Sequence, residues 1–232
     1  MAIAYNPSIV TNGLIFCLDA GNTKSYPGSG STWTDRSLSR NNATLVNTPT
    51  FNSSNGGHLS FSSASSQYAT ATNPGNLSTW TAEAMVRFTS SYSTKVAMVV
   101  GGQFDGVSNL NFTIGTNNAP INFNIAVGFF DGSWNSTTGV NYPLNTWVHI
   151  TGTFSGTTLK QFTNGNVVET VSGLLASPLS GGQIRINRRW DDVVSSGNLF
   201  DSNIAVVRVY NRALSEAEVS QNFNAIRGRF GL

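Results

Sequence analysis

Along much of the chain, large apolar residues recur at every second position. Ile121-Asn122-Phe123-Asn124-Ile125-Ala126-Val127-Gly128-Phe129 puts five large apolar side chains on one face and Asn or small residues on the other. Ala82–Phe88 alternates in the same way, with Glu83 and Arg87 on the face opposite Val86 and Phe88. Shorter copies occur at Leu59–Phe61, Phe112–Ile114, Val148–Phe154, Leu159–Phe162, Ile184–Ile186 and Ile204–Tyr210. Successive side chains of an extended chain point to opposite sides, so this period predicts half-buried strands of the length found in two-sheet sandwiches. Asn164-Gly165 separates two such runs and predicts a two-residue hairpin, because both turn positions need positive φ. Asp105-Gly106 and Asp131-Gly132 read similarly. One helix is expected: Ser215-Glu216-Ala217-Glu218 is a capping box, followed by Val219, Phe223 and Ile226 at helical spacing. Its place near the C-terminus suggests that it closes one end of the sandwich. The pattern predicts an all-β fold, a two-sheet antiparallel sandwich with one short C-terminal helix.

Composition narrows the function. Only 10% of residues are charged, against about 25% in ordinary soluble domains. Polarity comes instead from 27 Asn and from Ser and Thr runs, while 39% hydrophobic residues are enough to build a core. The length suits one large β domain, residues 1–232, with its core at about 13–226. A net charge of +2 gives no reason to expect nucleic acid. The single Cys17 lies in an apolar run and reads as a buried free thiol, which rules out a disulfide-stapled module. The opening Met1–Pro7 has no basic segment followed by an apolar stretch, so no signal peptide is expected, and no apolar run is long enough to cross a membrane.

Catalytic chemistry is hard to assemble from these residues. A glycosidase needs two carboxylates about 5–10 Å apart. The strand glutamates Glu83 and Glu169 have no acidic partner two or four positions away, and Asp191-Asp192 point to opposite sides if extended. The two histidines offer no nucleophile elbow or metal spacing; His149 reads as a packed strand residue and His58 as an exposed one. No cofactor is expected. Calcium, which needs only loop oxygens, would fall to Asp19, Asp35 and Asp201, whose plainer reading is turn capping. The arginines of the last fifty residues are interleaved with acids and read as a solvated or interface surface. Trp33, Trp134 and Trp190 lie in polar segments; Trp134, Asn135, Arg188, Trp190 and Asp191 are the residues that a sugar-binding reading would use.

A family resemblance adds to this. It begins at Gly13-Leu14-Ile15-Phe16-Cys17-Leu18-Asp19 and passes through Trp33-Thr34-Asp35, Asn41–Leu45, His58–Phe61 and Trp80–Ala84. It continues in Trp147–Phe154, Leu159-Lys160, Asn164-Gly165 and Phe200-Asp201, and ends at Val209-Tyr210-Asn211-Arg212-Ala213-Leu214-Ser215. In these segments the chain resembles the laminin G-like branch of the concanavalin A-like lectin/glucanase superfamily. The resemblance implies a jelly roll of two curved antiparallel sheets. Relatives include sugar binders, adhesion modules and hydrolases, so it does not by itself fix a function. Ser62–Gln67 stands where relatives carry an acidic loop, Ser202 where a glycine is common, and residues 35–40 lack the usual glycines. These departures count against a calcium site at Asp19 or Asp201. In style, Leu18–Asn22, Lys24–Gly30 and Gly228–Leu232 are similar to stand-alone laminin G-like proteins of tailed bacteriophages. That similarity implies a non-enzymatic virion structural protein, assembled in the host cytoplasm, most simply a capsid decoration or cement protein on the particle exterior. Its partners would be the major capsid protein or other virion proteins, with further copies of itself in a homo-oligomer. The alternative is a lectin-like adhesin or tail-fibre component that binds host-surface glycans.

Overall fold

A computed structural model describes residues 8–72, 77–90, 97–103, 110–116, 124–175, 182–189 and 198–232. Among these described residues sixteen strands follow in order: β1 Leu14–Asp19, β2 Thr32–Trp33, β3 Ala43–Val46, β4 Thr50–Asn52, β5 His58–Phe61, β6 Tyr68–Thr72, β7 Trp80–Phe88 and β8 Met98–Gln103. Then come β9 Leu110–Thr116, β10 Ile125–Phe130, β11 Trp134–Ser136, β12 Val148–Phe154, β13 Thr158–Thr163, β14 Asn166–Ser172, β15 Gln183–Arg188 and β16 Ser202–Tyr210. The helix α1, Glu216–Ile226, is followed by a 3-10 turn, Arg227–Phe230.

Among the described residues all strand pairings are antiparallel and form two sheets. The first runs β14-β13-β12-β7-β16-β5-β4, and β1 shares the β16 edge with β5. It can do so because β5 takes only Ser202–Ile204, leaving Val206–Tyr210 for β1. The second sheet runs β11-β10-β9-β8-β15-β6-β3-β2. The chain crosses between sheets repeatedly, as a jelly roll requires. The main core lies between them, with Phe16, Trp33, Trp80, Phe88, Phe112, Phe154 and Ile184 among its buried members. The predicted hairpin at Asn164-Gly165 joins β13 to β14 with φ of 49° and 80°. Asp131-Gly132 turns β10 into β11. Asp105-Gly106 and the first residues of the 121–129 run lie outside the described residues.

The helix is where the capping box and helical spacing predict it, but its docking differs from the expectation. It lies along the outer face of the first sheet instead of closing one end. Met85, Trp147, Ala205 and Val206 pack there against Ile226 and Phe230, and Phe162 and Tyr210 pack against Leu214 and Val219. A bulge between Ile204 and Val206 turns two successive small apolar residues outward to meet it. The central strands β7, β12 and β16 are therefore covered on both faces, not half-buried. The capping box forms as expected: the Ser215 hydroxyl accepts from the Glu218 amide, and Glu218 accepts from the Ser215 amide.

Candidate functional site

The acidic residues come first, since a catalytic reading depends on them. Glu83 is on the outer face of the first sheet, fully buried beneath α1. Arg208, directly across from it on β16, donates from Nη1 to its Oε1 at 2.5 Å. The His149 Nε2 lies 3.5 Å from Oε2, and Asn222 of α1 donates from Nδ2 to both carboxylate oxygens and to the Tyr210 hydroxyl. Asn222 Oδ1 in turn accepts from the Val10 amide. Burial pushes the Glu83 carboxyl up, but the Arg208 charge and the His149 contact outweigh it and hold the acid down at about 2. The same carboxylate pushes Arg208 up against its own burial, and burial raises the Tyr210 phenol and the Cys17 thiol. Glu83 is thus a strut, ionised down to about pH 2, that fastens the helix to the sheet. Glu169, the other strand glutamate, holds the loop after β11: its carboxylate accepts from the Thr138 amide and hydroxyl and from the Gly139 amide.

Each calcium candidate has a comparable task. Asp35 is buried and accepts from the Cys17, Ser37 and Asn41 amides and the Ser37 hydroxyl. Asp19 takes both Nη groups of Arg229, at 2.9 and 3.0 Å. Asp201 accepts from the Ser63 amide and the Ser63 and Ser90 hydroxyls. Among the described residues no three His, Cys, Asp or Glu side chains converge as a metal site would need. The exposed reading of His58 is corrected by its burial. His58 is buried, edge-on to the Trp147 ring at 5.3 Å, and Trp33 is fully buried in the core. Three of the C-terminal arginines are paired with acids, Arg212 with Glu218, Arg229 with Asp19 and the buried Arg208 with Glu83.

The more open surface lies on the outer face of the second sheet. Alternation in Tyr68-Ala69-Thr70-Ala71-Thr72 sends both alanines into the core and the larger residues outward. Register then places Thr70 beside Thr44 of β3 and Arg185 of β15. A shallow groove of about 380 Å3 runs over this rung, lined by Asn42, Thr44, Thr70, Thr72 and Gln183. The Thr70 hydroxyl donates to Gln183 Oε1 at 3.0 Å. One pleat away, the half-buried Tyr68 ring carries the Arg188 guanidinium 4.4 Å from its centre. The groove is lined by hydroxyls, carboxamides, Ala71 and Gly182, while Tyr68 and Arg185 flank it along β6 and β15 outside that lining.

Of the five residues proposed from sequence, Arg188 stacks on the Tyr68 ring, outside the groove's lining. Trp134 and Asn135 are on the edge strand β11, four strand spacings from β15, or roughly 19 Å. There Trp134 packs edge-on against Phe130 at 5.3 Å, and Asn135 donates to Asp131 across the turn. Trp190 and Asp191 lie outside the described residues. The described members therefore fall into two separate places on the sheet. Thr44, Thr70 and Gln183 were not singled out from sequence. The period-two signal at 68–72 could have found the first face, but no local signal brings β3 and β15 beside it.

Comparison with known proteins supports the fold. A family model described as the concanavalin A-like lectin/glucanases superfamily matches residues 62–220. No curated protein sequence matches the chain. Among solved structures, a Trypanosoma rangeli sialidase bound to sialic acid superposes with a TM-score of 0.66 at 15% identity, over 96% of this chain and 34% of its own. The chain thus spans about a third of that enzyme. Domain 4 of AbnA, a GH43 arabinanase of Geobacillus stearothermophilus in complex with arabinotriose, gives 0.67 at 13% identity, covering 92% of this chain and 99% of that domain. The receptor binding domain of botulinum neurotoxin type G gives 0.65 at 15%, over 91% of this chain and 51% of its own. At such identities the likeness concerns the fold alone. Taken with the two-sheet architecture, the family match over most of the chain places this protein in the concanavalin A-like lectin/glucanases superfamily.

Proposed function

We propose that the protein is a non-enzymatic glycan-binding module that holds sugar on the outer face of its second sheet, in the groove beside Tyr68. The groove's lining carries the reading. Asn42, Thr44, Thr70, Thr72 and Gln183 offer neutral donors and acceptors at strand spacing, which suits the hydroxyl groups of a neutral sugar chain. Tyr68 adds an amphipathic ring against which a sugar's C–H face can pack. The non-enzymatic part is supported by the strand glutamates, both committed to holding other elements in place. Two of the similar structures were solved with sugars, sialic acid and arabinotriose, which favours this reading for a chain of the same fold. Binding is expected to survive EDTA, because Asp19, Asp35 and Asp201 already spend their oxygens on Arg229, amides and hydroxyls.

A glycan array of the intact chain tests the proposal, followed by titration of Tyr68→Ala and Gln183→Ala against the best ligand. Each substitution is expected to weaken binding by about tenfold, the loss of roughly one hydrogen bond or stacking contact. No bound glycan, or one bound equally by both variants, would remove the reading.

The virion role stays as a second reading, favoured by the segments at 18–30 and 228–232 and by outward strand positions filled with Asn, Ser and Thr, a surface suited to close packing with capsid proteins and further copies. Copy number in purified particles separates its forms. Hundreds per particle fit capsid decoration, a few fit a tail fibre that binds glycan, and none ends it.

A further inference from the structure

Residues 34–42 join β2 to β3 and are fastened at both ends. Asp35 holds them from below, its carboxylate accepting from the Cys17, Ser37 and Asn41 amides and from the Ser37 hydroxyl. The Ser37 hydroxyl in turn accepts from the Ser39 amide, and Asn42 Oδ1 accepts from the Asp35 amide. At the far end the Asn41 side chain donates to the Thr72 carbonyl of β6. Arg40 takes a left-handed backbone, with φ of 50°, and its carbonyl accepts from the Asn42 amide. A residue with a Cβ keeps that conformation only where its surroundings impose it. The loop is therefore shaped before anything meets it.

Its outer side carries an apolar tip among cations. Asp35 and Ser37 point inward, while Arg36, Leu38, Ser39 and Arg40 are exposed. Leu38 is 97% exposed, the most exposed large apolar side chain among the described residues. Ser25 and Thr34 bind each other through two hydrogen bonds of 2.7 Å, which brings the exposed Lys24 alongside Arg36. Residues 24–42 hold these three cations and one acid, the buried Asp35. The preceding acid, Asp19, is taken by Arg229. Lys24, Arg36 and Arg40 make no ion pair among the described residues, whereas Lys160, Arg208, Arg212 and Arg229 are each paired with an acid. Burial of Leu38 and neutralisation of the cations both have to come from outside the fold.

We propose that this tip docks on an anionic phospholipid surface, with Leu38 entering the interface and Lys24, Arg36 and Arg40 lying among the headgroup phosphates. Charge complementarity and the shape of the tip favour a bilayer over a protein. A specific protein interface draws on about 800 Å2 of each partner around an apolar centre. This tip offers one apolar side chain, ringed by cations and hydroxyls. A fluid bilayer needs no matching socket, accepts a single side chain, and supplies phosphate on every side of it. Because the loop is already fixed, little order is lost on contact. One leucine and three cations give a weak, reversible and salt-sensitive attachment that lies on the membrane and does not cross it. The site uses none of the groove beside Tyr68, so either can fail alone.

The test is co-sedimentation of the intact protein with vesicles of phosphatidylcholine alone or mixed with phosphatidylglycerol. Binding is expected only to the mixed vesicles, and it should fall steeply as salt is raised. Arg36→Gln and Arg40→Gln should each weaken it by about fivefold and Leu38→Ser by about tenfold, all with the wild-type Tm because these side chains are exposed. Tyr68→Ala should bind the vesicles as the wild type does. A polarity-sensitive dye attached through Leu38→Cys should shift to the blue on mixed vesicles, with the buried Cys17 shielded from the label. No binding to mixed vesicles, or equal binding to both kinds, would overturn the proposal. So would wild-type affinity in Leu38→Ser or a dye that stays in water, since either marks a charge-only contact of the kind an acidic protein makes.

Discussion

Glu83→Ala is expected to destabilise the protein by about 3–5 kcal/mol, the range for removing one partner of a buried ion pair. Arg208 would be left charged between sheet and helix, and Asn222 would lose both carboxylate contacts that dock α1. Urea denaturation gives the value directly. The double variant Glu83→Leu with Arg208→Met should recover much of the loss, because a well-packed apolar pair often replaces a buried ion pair at little penalty. If Glu83→Ala behaves like a surface substitution, the strut described above is wrong.

The same carboxylate sets an acid limit. Its folded value of about 2 is below the unfolded reference of about 4.3, so its contribution is full above the unfolded value and fades as pH falls toward 2. Glu218, whose hydrogen bonds from Arg212 also hold it at about 2, titrates in the same window. Comparison of the wild type with the double variant isolates the share of Glu83. The double variant should lose less stability between pH 5 and pH 2 than the wild type does, within about that window.

The second large effect is expected at Asp35. Asp35→Ala should cost about 3 kcal/mol, since charge-assisted hydrogen bonds contribute roughly 1.5–3 kcal/mol each and four of them end on this carboxylate, though not additively. The loop between β2 and β3 is fastened to β1 in the first sheet through the Cys17 amide and, from Arg36, the Cys17 carbonyl. Hydrogen exchange should therefore show lost protection at Cys17, Ser37 and Asn41, with β7 and β12 following only the global change. Protection unchanged at those three amides would contradict the assignment. Added calcium should not raise the wild-type Tm, because every Asp35 oxygen is already taken.

Much of the architecture was legible locally. Alternation in 148–154 and 204–210 marked strands, since a pleated chain exposes its faces in turn. Asn164-Gly165 marked a hairpin because its residues tolerate the left-handed backbone it needs, and Ser215 with Glu218 marked a helix start because they satisfy free amides there. Alternation also put Glu83 opposite the core side of β7. It read that outward face as open to solvent, however, because period says which side is apolar and nothing about what covers the other.

The candidate sites were legible only in part. Residues 68–72 carry the face of the Tyr68 groove in their own alternation, but Thr44 and Gln183 join it through pairings that span 26 and 113 positions. Trp134 and Arg188 looked like companions in a list of polar aromatics and arginines, yet strand order sets them apart. His58 read as exposed and Trp33 as part of a polar segment, and both are buried by distant partners.

The sequence by itself marked the longer central strands, the Asn164-Gly165 hairpin, the helix and the scarcity of acids, because each follows from neighbours within a few residues. Tertiary structure alone decided that the helix lies along a sheet face, which turned Glu83 and Arg208 into a buried pair. It also decided which outward threonines line an opening. Those outcomes depend on contacts between residues far apart in the chain, and no local pattern encodes them.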